Sequence, residues 1–389
     1  MIIKGISAKS ILDSRNEKTI SVSIKTNVGE FSASAPNGKS TGKYEAKSYQ
    51  KSLENDIKVI HQLGEYFSGE IIEKFEDLKA VEDISDKQIG ANSLFAFESA
   101  ILKAVAKEQK KEVWELINPS AKKLPRLVGN CIGGGAHSSG DKKPNFQEFH
   151  LIPKTKSLKV SFEMNKDLKK EVERIISLED KKFNHEKNDE DAWKVTLGDK
   201  EVLDIFKKAG ASAKGFDLGV DIAASGFYNR KKYDYQNPLF KRTPEEQIEY
   251  VSNLIKNCNI EYIEDPFEEN DFESFSKLVK RFPEKVIVGD DLTTTNPKRL
   301  DKAIKEKSIT GLIVKPNQIG SLIKVKEVCD MAKENKIKII FSHRSGETQE
   351  TILADLAFGF QADFFKCGIT GKERECKIKR LVEIEGRLK

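Results

Sequence analysis

Cysteine is scarce and scattered in this sequence. The 389 residues include five, Cys131, Cys258, Cys329, Cys367 and Cys376, an odd number with no CxxC pair. That excludes a dense disulfide framework and a paired-thiol metal or redox motif, and it fits free thiols in a reducing compartment. Also missing is any uninterrupted apolar run long enough to span a bilayer, and residues 1–10 lack a long apolar core. The expectation is a cytoplasmic protein with no membrane partner. Charge of one sign is not in excess either: Lys and Arg number 67 against 62 for Asp and Glu, a net +5, so no nucleic-acid partner is implied. The basic pairs Lys169 with Lys170 and Lys181 with Lys182 are interleaved with acids, as on a solvated helix face. No repeat or low-complexity segment is evident, and the charge-rich stretch 178–191 reads as a mobile loop.

What is present is enough apolar residue, 38%, to bury a sizeable core beneath a surface fed by 33% charged residues. The length exceeds one ordinary domain but suits a β/α barrel with a smaller partner. Residues 20–26 and 30–35 alternate in polarity around a turn with Asn27 and Gly29, predicting a hairpin. Helical patterns follow over 43–67 and 91–109; in the second, Leu94, Phe97, Ala100, Ile101 and Ala104 share one face. These make an α+β domain over 1–123, with 119–125, bounded by Pro119 and Pro125, as the passage out of it. From Phe216 onward strand-length apolar runs at 216–222, 260–263, 285–289, 309–314, 337–342 and 364–365 alternate with amphipathic stretches at 245–255, 272–279, 298–304, 322–332 and 348–358. That rhythm predicts a parallel β/α barrel filling 124–389.

The chemistry sits at the ends of those strands. Asp221, Glu264, Asp290, Lys315, His343 and Lys366 each close one, and the ends of barrel strands face a single mouth. Three carboxylates converging there offer the hard oxygen ligands that suit Mg²⁺. A strand-end Asp also commonly caps the next helix, but capping does not account for three carboxylates, two lysines and a histidine together.

The same residues lie in segments that resemble enolase signatures: IEDPF at 263–267, VGDDLTTTN at 288–296, KPNQIGS at 315–321 and SHRSGET at 342–348. ILDSR at 11–15, GKSTG at 38–42, IGANS at 89–93, QEF at 147–149 and GVDIAAS at 219–225 extend the resemblance over almost the whole chain. It implies a β/α barrel of the enolase type behind an N-terminal capping domain, and a Mg²⁺-dependent lyase interconverting 2-phosphoglycerate and phosphoenolpyruvate. Use of a Lys or His base with one or two Mg²⁺ ions is a general property of that superfamily. The resemblance further implies Lys315 as the base and Glu190, in NDEDAW at 188–193, as the general acid, with Glu148 in support and His343 at the catalytic centre. Asp221, Glu264 and Asp290 would hold the first Mg²⁺, and Ser40, on a closing loop between Gly38 and Gly42, would help hold a second. Arg344 and Ser345 would grip the substrate phosphate, Lys366 would face the substrate carboxylate, and His137 and Gln147 would complete the pocket. His61, His150 and His185 are given no role. A homodimer or higher homo-oligomer is implied too.

The sequence departs from the family pattern at Asn16, Lys39, Gly133, Gly226 and, around the acid, Asn188 and Asp191. Asp191 is expected to raise the pKa of Glu190 if it lies close, and a non-glycine residue there does not freely take positive φ. Lys315 must be neutral to accept a proton, and Lys366 is expected to disfavour its charged form. Two alternatives stand beside the lyase: a relative acting on another carboxylic acid, against which Arg344 and Ser345 argue, and a paralogue with a non-catalytic binding role.

Overall fold

The computed structural model describes residues 1–39, 42–64, 66–67, 71–140, 142–212 and 215–388. The chain opens with an antiparallel sheet of β1 (Ile3–Leu12), β2 (Lys18–Thr26) and β3 (Gly29–Ser34) in that order. In β2, Ile20, Val22 and Ile24 are fully buried and alternate with serines, the period-two pattern of a strand with one covered face. The helix Ala91–Gln109 buries Ala96, Phe97, Ala100, Ile101 and Ala104. It begins at Gly90, where a Cβ would meet the Tyr49 backbone at 2.3 Å. The expected helix over 43–67 is shorter, Leu53–Leu63, because Ser52 Oγ caps its start by accepting from Asn55 N at 3.1 Å. Residues before the cap are drawn over the barrel instead, with Ala46 N bonded to Gln318 O at 2.8 Å.

The second unit is a closed eight-stranded barrel. Its strands are β4 (Arg126–Gly133), β5 (Glu148–Pro153), β7 (Phe216–Asp221), β11 (Ile260–Glu264), β12 (Val286–Gly289), β13 (Gly311–Val314), β14 (Lys338–Ser342) and β15 (Phe364–Gly368). They pair in chain order, and β15 pairs with β4 to close the ring. A short β6 (Trp193–Lys194) adds to β4 from outside, and β8 (Tyr228–Asn229), β9 (Lys232–Gln236) and β10 (Leu239–Arg242) form a separate meander. Helices between successive strands start on clear signals. Thr243 and Glu246 make a reciprocal cap with Pro244 at the first turn, and Asn296 caps the helix that Pro297 opens. Inside the barrel, Val128, Ile152, Tyr262, Val288, Ile313, Ile340 and Phe364 form their own cluster, apart from the larger core under the helices.

The barrel is not wholly parallel, as the alternation from Phe216 suggested. Two strands precede that alternation, and β5 runs antiparallel to both β4 and β7. Among the described residues, the link between β4 and β5 holds one short 3₁₀ turn, Gly135–His137, whereas a parallel return needs a longer crossover, usually helical. The reversal places the first residue of β5, Glu148, at the mouth, directly opposite Asp221. The stretch 178–191 is also not a free loop: Asp180 accepts from Thr196 N and Oγ1, both at 2.7 Å. Lys169, placed on a solvated face by the charge pattern, is buried at 4% exposure, for reasons that concern the acid loop.

Candidate active site

Six of the strands that end at the mouth each deliver one ionisable group there. Asp221 and Glu264 are the last residues of β7 and β11, Asp290, Lys315 and His343 follow β12, β13 and β14 directly, and Lys366 lies within β15. Asp221, Glu264, Asp290, His343 and Lys366 are all under 8% exposed. The Lys366 ammonium is shared among carboxylates, 3.0 Å from Asp221 Oδ2, 2.8 Å from Glu264 Oε1 and 3.4 Å from Glu148 Oε2. Burial pulls its pKa down, but those acids outweigh burial and hold it well above the ordinary lysine value. Lys315 forms a close ion pair with Asp290. Burial, Arg344 and Lys366 lower its pKa, yet the net shift, led by Asp290, is upward, so in the chain alone Lys315 is kept charged rather than neutral. Glu264 is pushed well up by burial and by Asp221. Asp290 is held down by Lys315 and Lys366 despite burial.

A further acid comes from a loop. Glu190 is buried, accepts from Asn130 Nδ2 at 2.9 Å, and lies 3.6 Å from His137 Nδ1 and 3.5 Å from His343 Nε2. Burial raises its pKa, but the two imidazoles prevail and hold the carboxyl well below the usual range. Asp191 does not act on it as expected: its carboxylate turns away to Lys169 and Thr370. It does take positive φ, 63°, a conformation that Asp tolerates better than most residues. Further left-handed residues cluster directly behind the strand ends, at Ala223, Asp265, Thr294 and Thr295, which is where functional sites store backbone strain.

The N-terminal domain closes one side. Asn37 and Gly346 exchange backbone bonds at 2.7 and 2.9 Å, and Lys39 N donates to Ser345 Oγ at 2.7 Å. Glu45 takes Arg344 bidentately, at 3.0 and 3.2 Å, the fork geometry in which a guanidinium also holds a phosphate. Gln147 lines the same cleft, with its backbone N on Asp221 O at 2.9 Å. The structure thus lines this cleft with the sequence-derived candidates except Glu264, which lies beneath it and joins it through Lys366 at 2.8 Å, and Ser40, which lies outside the described residues. In the chain alone the cleft encloses about 50 Å³.

Several participants were missed from sequence. His150 Nε2 is 2.9 Å from Glu148 Oε2, and Tyr262 Oη donates to Glu264 Oε2 at 2.7 Å. Each sits two residues from its carboxylate on one strand, a spacing that puts both on the same face, and that signal was available. Asp265 was missed as well: its carboxylate accepts from the N–H groups of Asp290 at 3.0 Å and Asp291 at 2.7 Å, fixing the turn after β12.

The donor set fits a hard divalent cation. Asp221, Glu264 and Asp290 are buried carboxylates in a low-dielectric mouth, and among the described residues Asp290 Oδ1 has no hydrogen-bond partner. Among the described residues, the tightest potential ligand groups are Asp265 with Asp290 and Asp291, and His137 with Glu148 and Glu190. Asp221 and Glu264 fall outside both groups; each is bonded to Lys366.

Family models described as Enolase, N-terminal domain, and Enolase, C-terminal TIM barrel domain, match residues 3–117 and 121–389. Among curated relatives, the chain is 36% identical to a protein named Enolase from Sulfurisphaera tokodaii, over 98% of this chain and 95% of that protein. It is 35% identical to Enolase from Pyrobaculum aerophilum, over 95% and 91%. It is also 34% identical to Enolase from Methanosphaera stadtmanae, over 100% and 97%.

Proposed function

The chain belongs to the enolase family, and from that membership we propose how its residues share the reaction. It is a phosphopyruvate hydratase, a hydro-lyase of glycolysis: water leaves 2-phosphoglycerate to give phosphoenolpyruvate, and the reverse reaction adds it back. Likeness over the full length does not favour the alternatives of another acid substrate or a non-catalytic role.

In our reading, neutral Lys315 Nζ removes the proton beside the substrate carboxylate, and Lys366 faces that carboxylate as its second negative charge develops. Glu190, which the chain alone holds ionised, must first take up a proton, and it then passes that proton to the departing 3-hydroxyl so that water leaves, while Glu148 keeps the buried cluster of Glu190, His137 and His343 in register. Lys315 follows β13 and Glu190 bonds to Asn130 of β4, with β14 and β15 between them, so acid and base address the substrate from different sides. Arg344 exchanges Glu45 for the substrate phosphate, with Ser345 beside it and Gln147 completing the pocket. The family is metal-dependent. We assign Mg²⁺ to two sites, the first on Asp221, Glu264 and Asp290 and the second on the loop of Ser40. Held there, Mg²⁺ would supply positive charge to the substrate carboxylate as its negative charge grows; Asp290, engaged as a ligand, would then hold the Lys315 ammonium less tightly, and Lys315 would give up its proton more readily.

The observation that carries this reading is the pairing within the mouth, where Lys366 takes Asp221 and Glu264 while Lys315 takes Asp290. Its test is Lys315→Ala: turnover of 2-phosphoglycerate is abolished while Mg²⁺ binding by calorimetry persists, and retained turnover would sink the assignment of the base. We further propose a domain boundary between residues 123 and 124, a cytoplasmic location, and a homodimer or larger homo-oligomer, measurable by light scattering.

A further inference from the structure

The segment that carries Glu190 is fastened on both flanks by side chains that do not line the cleft. Asn188 Oδ1 accepts from the N–H groups of Glu190 at 2.9 Å and Ala192 at 3.0 Å, and Asn188 N donates to Ala192 O at 2.9 Å. There is room for this amide because β4 ends in glycine: a Cβ on Gly133 would meet Asn188 Nδ2 at 2.2 Å. The Glu190 peptide in turn rests on β15, where a Cβ on Gly368 would meet its carbonyl oxygen at 2.6 Å.

On the other flank Asp191 reaches into the barrel wall. Lys169, on the helix Leu158–Glu179, donates to the Asp191 carbonyl, to Asp191 Oδ2 at 3.1 Å and to Thr370 Oγ1, while the Thr370 hydroxyl donates to the same carboxylate. Lys187 meets the carboxylate from the exposed side at 3.2 Å. A lysine at 4% exposure is costly unless paired, and burial does pull its pKa down against the pull of Asp191. Among the described residues, the hydrogen bonds of this buried ammonium all go to the residue next to the acid or to the turn after β15, and the Trp193 ring lies 5.4 Å from it.

We propose that Lys169, Asp191 and Thr370 form a latch that positions the Glu190 carboxyl for proton delivery by clamping the backbone of the residue that follows it. They are positioning residues, and the inference rests on the reading of Glu190 as the acid. Asp191→Gly tests it without adding strain, because glycine accepts the positive φ while removing the carboxylate. Lys169→Met removes the ammonium at similar length, and Asp191→Asn keeps an acceptor oxygen. Glu190→Gln serves as the reference.

The readouts are kcat, KM for 2-phosphoglycerate, and exchange of the C2 proton with solvent deuterium by NMR, which reports the base step alone. Misplacement of a catalytic group by about 1 Å costs on the order of 100-fold. Asp191→Gly and Lys169→Met therefore lower kcat by about 10–100-fold with KM nearly unchanged and C2 exchange retained, as in Glu190→Gln, and Asp191→Asn recovers most of the loss. Turnover within about twofold of wild type in both variants, beside an inactive Glu190→Gln, overturns the latch alone. Parallel loss of exchange and turnover without recovery in Asp191→Asn makes the contacts merely structural and overturns it too. Full activity in Glu190→Gln removes the acid reading, and the latch falls with it.

Discussion

Replacing Lys366 by Met removes the charge on which the mouth depends while keeping a side chain of similar length. In the chain alone its ammonium lies within 3.4 Å of carboxylate oxygens from Glu148, Asp221 and Glu264, all buried to 3% exposure or less. Breaking a buried ion pair by deleting one partner costs about 3–5 kcal/mol. The lower end applies here, because Glu264 already has its pKa pushed well up by burial and by Asp221 and sheds part of its charge when the lysine goes. About 3 kcal/mol corresponds to a fall in Tm of roughly 6–12 °C for a barrel of this size. The assay is thermal unfolding followed by circular dichroism, with chelator and then with excess Mg²⁺. With chelator the variant melts lower by that amount. With Mg²⁺ its Tm rises by more than that of the wild type, because the cation then supplies the missing positive charge to carboxylates that no longer compete with an ammonium. A variant that melts within about 2 °C of wild type in chelator would refute the view that Lys366 holds the acids together.

A second expectation concerns pH. Asp199 accepts from Phe146 N at 3.0 Å and Asn145 Nδ2 at 2.9 Å, and burial pushes its pKa up to about 6. A carboxyl raised in the folded state above its unfolded value near 3.9 contributes stability that is full below that value and lost as pH rises through about 6. The gap amounts to about 3 kcal/mol. The stability of Asp199→Asn by urea unfolding therefore gains on wild type by most of that amount between pH 4 and 7; a constant difference would contradict the account. Third, Gly346→Ala drives a Cβ to 2.2 Å from Asp13 Oδ2 beside the Asn37 backbone pairing. Overpacking of this kind costs about 1–3 kcal/mol, and with the neighbouring Ser345 and Arg344 disturbed, KM for 2-phosphoglycerate rises by about tenfold while kcat changes little, measurable by steady-state kinetics.

The parts of the site legible in the sequence are those a strand carries at its own end. Asp221, Glu264 and Asp290 stand out because each follows an apolar run whose direction is fixed by the barrel, so their convergence follows from local pattern alone. Glu148 is different. Its place at the mouth depends on β5 running antiparallel, a consequence of a crossover without a helix rather than of any periodicity. Lys169 shows the opposite failure: a charge run names the helix face but not what packs against it, and here the acid loop covers one of the two lysines. Asp191 looked like a perturbing neighbour of Glu190 because adjacency in sequence was read as adjacency in space, whereas its carboxylate turns away from Glu190 to Lys169 and Thr370. Glu45 and Asn130 reach their partners from other elements, and nothing in their own segments announces Arg344 or Glu190.

The most direct measurement of the central claim is the absorbance of the enol-phosphate product after 2-phosphoglycerate is added to the chelated protein and Mg²⁺ is then titrated in. The account requires no rise in chelator and a rise that grows with Mg²⁺ to saturation in wild type but not in Lys315→Ala. A rise that persists undiminished in chelator, or that Lys315→Ala reproduces, would contradict it.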